Sequence, residues 1–431
     1  TCRANNLSAL KREDYSPSLS SFVPKVSFSL SQFTLEGVEG YATNWQEMGK
    51  WQYEKLIKGR DEVSEKTKQE IIDLTQEIDD PIEKVKLVYK YVQDRTRYIS
   101  VQVGIGGWQP IDAETVDNVK YGDCKGLTNY TKALLKIAGI DAKYSVVFAG
   151  SEKRDLDKDF ASMQGNHVIL NIPTQDQDLW LECTSQDIPF GFLGSFTDDR
   201  KVLVIDETGG QIKTTDSYIE KDNSQYINAT IKLNTSGNID VDFKVKSTGT
   251  QFYNKYYLAA KNDKEVKKYY KNYYDHLKGL KIKSYTFFND EDNVEFTEEI
   301  NIEAENFTSK FGNRFMFNPN VLNQSISTPD KYEKRMTPFQ ISRGFYDDDH
   351  FVFSLPQGMQ VESMPKSINI ETKFGDYKAE VLQNENGSII YNRQLLIKHG
   401  EFSKEEYSDY RNFMKEVNKA DNTKIILIQK T

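Results

Sequence analysis

Cys124 sits in the run Tyr121-Gly122-Asp123-Cys124-Lys125-Gly126, which leads into Leu127-Thr128-Asn129-Tyr130-Thr131-Lys132-Ala133-Leu134-Leu135. Leu127, Tyr130, Thr131, Leu134, Leu135 and Ala138 recur at helical spacing, and Gly139 follows where a glycine ends a helix. The pattern predicts a cysteine in the first turn of an apolar helix. Unpaired backbone N–H groups there favour a thiolate, the reactive form, and are placed to hold an oxyanion formed later. A buried structural cysteine gives the same local pattern, so the assignment turns on two later stretches.

The first is Gly165-Asn166-His167-Val168-Ile169-Leu170-Asn171-Ile172-Pro173, and the second is Leu179-Trp180-Leu181-Glu182-Cys183-Thr184. Both have strand character, and residues 174–178 between them are polar. A hairpin centred between Thr174 and Gln175 pairs Asn171 with Asp178, Ile169 with Trp180 and His167 with Glu182. Opposed side chains share a sheet face, so this register lets Glu182 orient His167. A one-residue slip puts Glu182 on the other face. Cysteine, histidine and carboxylate, in that order, suit a nucleophile, its base and the group that orients the base.

These three stretches together resemble the transglutaminase-like branch of the papain-like superfamily. Cys124 and His167 match the family pattern residue for residue. Glu182 stands where the family usually has Asp, so the carboxylate is kept with one extra methylene. The resemblance implies a Cys–His–carboxylate triad on a helix and two neighbouring strands, and it runs from about Asp80 to Gly191. A closer similarity is to bacterial cell-envelope proteins that carry this core in series with β-rich domains. It implies a periplasmic or cell-envelope location, and a chain that is a fragment lacking its leader and first domain.

At 431 residues the chain has room for two or three domains. A net charge of −9 and the lack of any Lys/Arg run argue against nucleic-acid binding. No stretch approaches about 18 consecutive apolar residues, so no transmembrane segment is expected. Three cysteines make no disulfide framework. A Cys124–Cys183 bridge is the rival to the catalytic reading. Alternation points Cys183 away from the face of Glu182, as a packed residue, and Cys2 is incidental. His276, His350 and His399 have no partners at metal spacing, so neither a metal nor a cofactor is expected.

The expected fold class is α+β: a papain-like transglutaminase core, with a helix bundle packed on an antiparallel sheet, followed by a mostly β, sandwich-like domain. Residues 1–43 read as a linker ending in an edge strand, 44–206 as the core and 207–431 as the β-rich domain, with a further division near 325–335. Asn44, Ser64 and Asp80 are expected helix N-caps, with Pro81 at the first helical position. A strand is expected over Tyr98–Val103. Gly104-Ile105-Gly106-Gly107-Trp108-Gln109-Pro110 follows, without the Lys and Ser/Thr of a phosphate loop. Trp108, Gln109 and Asp123 are candidates for the cleft or the oxyanion site. Ser151 to Gln164 is polar and suits a rim loop. From Glu207 the apolar period becomes two, and the Asp347-Asp348-Asp349 run reads as a solvated turn.

The function that follows is a cysteine-dependent hydrolase or acyl transferase acting on amides of protein or peptide substrates, including cell-envelope material. Cys124 is the nucleophile, His167 the base and Glu182 its orienter. The rival is a binding or scaffold protein that keeps the fold without the chemistry.

Overall fold

The computed structural model describes residues 3–7, 9–324 and 327–429. Cys2 and the first two residues of the division expected near 325–335 therefore lie outside the described residues. The chain forms two compact units, Pro24–Ser217 and Thr1–Val23 together with Tyr218–Thr431.

The Pro24–Ser217 unit begins with a hairpin, β1 (Gln32–Leu35) and β2 (Val38–Tyr41). Three helices follow: α1 (Trp45–Gln52), α2 (Glu65–Thr75) and α3 (Pro81–Arg95). The expected caps start them. Asn44 accepts from the Glu47 N–H at 2.9 Å, Ser64 from Thr67 at 3.2 Å and Asp80 from Ile82 at 2.8 Å, each worth about 1 kcal/mol. The strand expected over Tyr98–Val103 shrinks to β3 (Arg97–Tyr98), which pairs in parallel with β4 (Tyr121–Gly122). The glycines at 104–107 draw the chain into a 3₁₀ turn instead. Between them α4 (Ala113–Val119) leads to α5 (Cys124–Ile137).

The helix α5 packs on a five-stranded antiparallel sheet made of β5 (Lys143–Val147), β6 (His167–Ile172), β7 (Leu179–Leu181), β8 (Lys201–Asp206) and β9 (Gly209–Thr214). Their spatial order is β7-β6-β5-β8-β9. Between β7 and β8 lies the short helix α6 (Gly194–Thr197). One sheet face carries Tyr144, Val168, Leu203 and Ile205, packed with Cys124 and with Trp45, Met48 and Trp51. The other carries Val147, Ile169, Trp180, Val202 and Val204 around Leu193. The strand β9 extends the unit past residue 206, the boundary expected from sequence. Gly49 of α1 and Gly210 of β9 approach so closely that a Cβ on Gly49 would lie 2.3 Å from the Gly210 backbone. Side chains at either position would push α1 off the sheet.

The other unit is β-rich. Its largest sheet has eight strands, in the order Lys281–Asp290, Glu295–Ala304, Ile239–Thr248, Ser224–Leu233, Phe345–Ser354, Ile389–Ile397, Gly375–Gln383 and Ile368–Thr372. A four-stranded sheet ends the chain. The period-two pattern buries alternate residues, as in Ile227, Ala229, Ile231 and Leu233. The stretch expected as a linker over 1–43 is divided. Glu13 is buried with this unit and accepts from the N–H groups of Met336 and Thr337, both at 2.9 Å.

Asp347–Asp349 is not a solvated turn. It lies within the strand Phe345–Ser354, where Asp347 and Asp349 face inward onto fully buried Arg393. The Arg393 guanidinium donates to Asp349 at 3.0 Å and to both Asp421 oxygens at 2.8 and 3.1 Å. Three like charges in one triplet look solvated, but strand alternation and a distant arginine turn two of them into core residues.

Candidate active site

Asp123 caps α5. Its Oδ1 accepts from the Gly126 N–H at 2.9 Å, and its other oxygen holds the buried Lys125 ammonium. Only 1% of Asp123 is exposed, so it is a helix cap and ion-pair partner rather than the cleft residue expected. The cap fixes Cys124 as the first helical residue, where by helix geometry its N–H has no intrahelical acceptor. Cys124 and Cys183 are both free thiols, so no bridge joins them. Cys183 is buried and donates weakly to the Leu181 carbonyl at 3.8 Å.

His167 opens β6. The hairpin to β7 has a register two residues from that expected, pairing Leu170 with Leu181, Asn171 with Trp180 and Ile172 with Leu179. A shift of two keeps every side chain on its face, so His167 and Glu182 still meet, now as diagonal neighbours. Glu182 itself lies one residue past the end of β7. The His167 Nε2 sits 2.8 and 3.1 Å from the two Glu182 oxygens. Cys124 lies close enough to the same imidazole to help raise its proton affinity, and Nε2 is committed to Glu182. Cys124, His167 and Glu182 are 6%, 8% and 3% exposed.

Burial disfavours the imidazolium, but the Glu182 charge and the hydrogen bonds to Cys124 and Glu182 outweigh it and raise His167 to about 10. Burial likewise raises Glu182, and the His167 charge with hydrogen bonds from His167 and Thr184 overcomes it, so its carboxyl lies below its ordinary value. The two shifts agree: the geometry favours an imidazolium–carboxylate pair.

Several further residues support His167 and Glu182. The Thr184 N–H and hydroxyl donate to Glu182 Oε1 at 3.1 and 2.5 Å, and the Tyr89 hydroxyl donates to the Glu182 carbonyl at 2.7 Å. Asn166 clamps the turn after β5, accepting from the Ala149 N–H at 2.7 Å and donating to the Ala149 carbonyl at 3.1 Å. Gly165 turns the chain into this clamp at φ +92°, and a Cβ there would meet Val146 at 2.5 Å. Buried Arg200 gathers the carbonyls of Phe148 and Gly150, each at 2.5 Å, and of Ser195 at 3.3 Å. Phe196, beside Ser195, lies edge-on to His167 at 5.3 Å. The threonine two residues after Glu182 and the asparagine before His167 were both visible in the sequence. Arg200 and Phe196 reach the site only through the fold.

The rim stretch 151–164 is exposed or half-buried, with Leu156 its one buried residue. Leu156, Ala161 and Met163 join the cluster that contains Cys124, as does Ile105 from the glycine turn. Trp108 is 38% exposed and Gln109 half-buried. Among the described residues, neither side chain hydrogen-bonds to or stacks on Cys124, His167 or Glu182. Also among the described residues, no group of His, Cys, Asp and Glu is arranged to hold a metal ion, and no helix is long and apolar enough to cross a membrane.

Residues 69–188, a span holding Cys124, His167 and Glu182, match the transglutaminase-like superfamily, and residues 313–427 match a domain of unknown function, DUF3858. No curated protein matches the chain. Among solved structures, the crystal structure of a "putative protease" from Parabacteroides distasonis ATCC 8503 superposes with a TM-score of 0.53 at 14% identity. The match covers 98% of this chain and 64% of that one, so this chain spans less than two thirds of that protein, and the likeness is one of fold. The chain thus carries a transglutaminase-like superfamily domain at residues 69–188, followed by a β-rich region that contains the DUF3858 match.

Proposed function

We propose that the protein is a cysteine-dependent hydrolase or acyl transferase that works on amide bonds of peptide-like substrates through Cys124, His167 and Glu182. The observation that carries this reading is a buried cysteine at a capped helix start, acting on an imidazole whose Nε2 lies 2.8 and 3.1 Å from the two oxygens of Glu182. A structural role needs no such arrangement.

In this reading the Cys124 proton already rests on His167 as the imidazolium, and the Sγ thiolate attacks the carbonyl carbon. The carbonyl pair moves onto oxygen, where the Cys124 N–H donates to it. Collapse restores the carbonyl and breaks the C–N bond, and His167 passes its proton to the departing amine. Water or a second amine then attacks the thioester with His167 as base. Glu182 keeps the imidazole in one orientation and balances its charge, without itself accepting the proton. The substrates are proposed to be peptides of the cell envelope, by the family resemblance.

The test is acylation by an activated ester, N-acetylglycine p-nitrophenyl ester. The expected result is a burst of one p-nitrophenolate per chain and a thioester adduct on Cys124, both lost in Cys124→Ala. A parent chain that gives no adduct would return the protein to the scaffold reading.

A further inference from the structure

Phe196 lies edge-on to His167, with planes at 69° and centroids 5.3 Å apart, and it is 36% exposed. Single exposed apolar residues are ordinary; this one stands out by its place and by how it is held. Its neighbours in α6, Gly194 and Thr197, are buried. The Gly150 N–H donates to the Phe196 carbonyl at 3.0 Å, and Arg200 to the Ser195 carbonyl at 3.3 Å. The helix is therefore fixed to the turn after β5, and it presents an open aromatic ring beside an imidazole that is only 8% exposed.

The chemistry says which part of a substrate passes there. In the reaction proposed above, on which this inference rests, the departing amine takes its proton from His167 and so lies within about 3 Å of the imidazole. The side chain attached to that nitrogen then lies in the surroundings of the imidazole, where Phe196 offers apolar surface. We propose that Phe196 forms the wall of a subsite for an apolar or aromatic side chain on the amine side of the bond, and so sets the preference for leaving or accepting amine.

Aminolysis of the acyl-enzyme probes this subsite without a natural substrate. Thiolate attack on N-acetylglycine p-nitrophenyl ester forms the C–S bond and releases p-nitrophenolate. An added amine then attacks the thioester carbonyl; its C–N bond forms, the C–S bond breaks, and its proton passes through His167 to the thiolate. Phenylalanine amide and glycinamide are offered in competition, and the two products are measured by mass spectrometry. The ratio within one protein is independent of its overall rate. The parent is expected to favour phenylalanine amide about tenfold or more, within the range of apolar pocket discrimination. Phe196→Ala should bring the ratio near one, and Phe196→Leu should fall between. An unchanged ratio in Phe196→Ala, or a parent without preference, overturns the subsite while leaving the thiol chemistry intact. A parent that forms no acyl-enzyme overturns the chemistry, and the subsite with it.

Discussion

Replacing Glu182 with Gln keeps the shape of the orienting group and deletes its charge. His167 titrates at about 10 against an ordinary 6.5 because the Glu182 carboxylate and the hydrogen bonds to Cys124 and Glu182 overcome the opposing effect of burial. Without the carboxylate, burial is opposed only by the neighbouring Cys124, and the imidazole should titrate near or below 6.5. That is a fall of more than three decades in proton affinity, about 5 kcal/mol at about 1.4 kcal/mol per decade. The same coupling enters stability. A histidine whose folded value is raised contributes stability that is fully present below about 6.5 and is lost as pH rises through about 10. Glu182→Gln should therefore cost about 3–5 kcal/mol at pH 7, the usual cost of breaking a buried pair, and the gap to the parent should narrow towards pH 10.5. The assay is imidazole NMR, read among only four histidines and identified with His167→Gln, together with urea unfolding at both pH values. Glu182→Asp retains the charge and should hold the imidazole well above 6.5. If His167 titrates in Glu182→Gln as it does in the parent, or the stability gap is the same at pH 7 and 10.5, the carboxylate does not govern the imidazole and the reasoning fails.

In a Cys2→Ser background at pH 7.5, iodoacetamide should label Cys124 and spare Cys183, since burial first and then the Glu182 charge push the Cys183 thiol up to about 12; peptide mapping reads this directly, and equal labelling would contradict it. Arg393→Met should cost about 3–5 kcal/mol or more in urea unfolding at pH 7, because it leaves Asp347, Asp349 and Asp421 buried without their cation. That deficit should shrink in acid, where the carboxyls are neutral. Asp123→Asn keeps a cap for Gly126 but unpairs buried Lys125, so it should destabilise by about 3 kcal/mol. Asp123→Ala should cost about 1 kcal/mol more, the value of the cap, and equal losses in the two variants would show the cap to be worth nothing.

The local code of this chain was legible in the sequence. The caps Asn44, Ser64 and Asp80, the stop at Gly139 and the burial alternation of residues 227–245 depend on neighbours within a few positions. So does the choice of face at His167 and Glu182, because a strand's period of two survives a register error of two. Register itself depends on how β6 and β7 pack against the rest of the sheet, and there the observed pairing differs by two from a symmetric hairpin. The extent of the core also required the fold, since β9 joins it through a backbone contact with α1 that two glycines 161 positions apart permit. The inward turn of Asp347 and Asp349 required Arg393, placed opposite Asp349 and diagonal to Asp347 only when two strands pair. Phe196 comes to His167, and Arg200 to the turn after β5, from a later stretch that carries no pattern of its own. The sequence determined which residues make up the candidate site and which face they occupy, because those depend on short-range periodicity. Tertiary structure alone decided what surrounds them, because contacts between distant segments follow from packing.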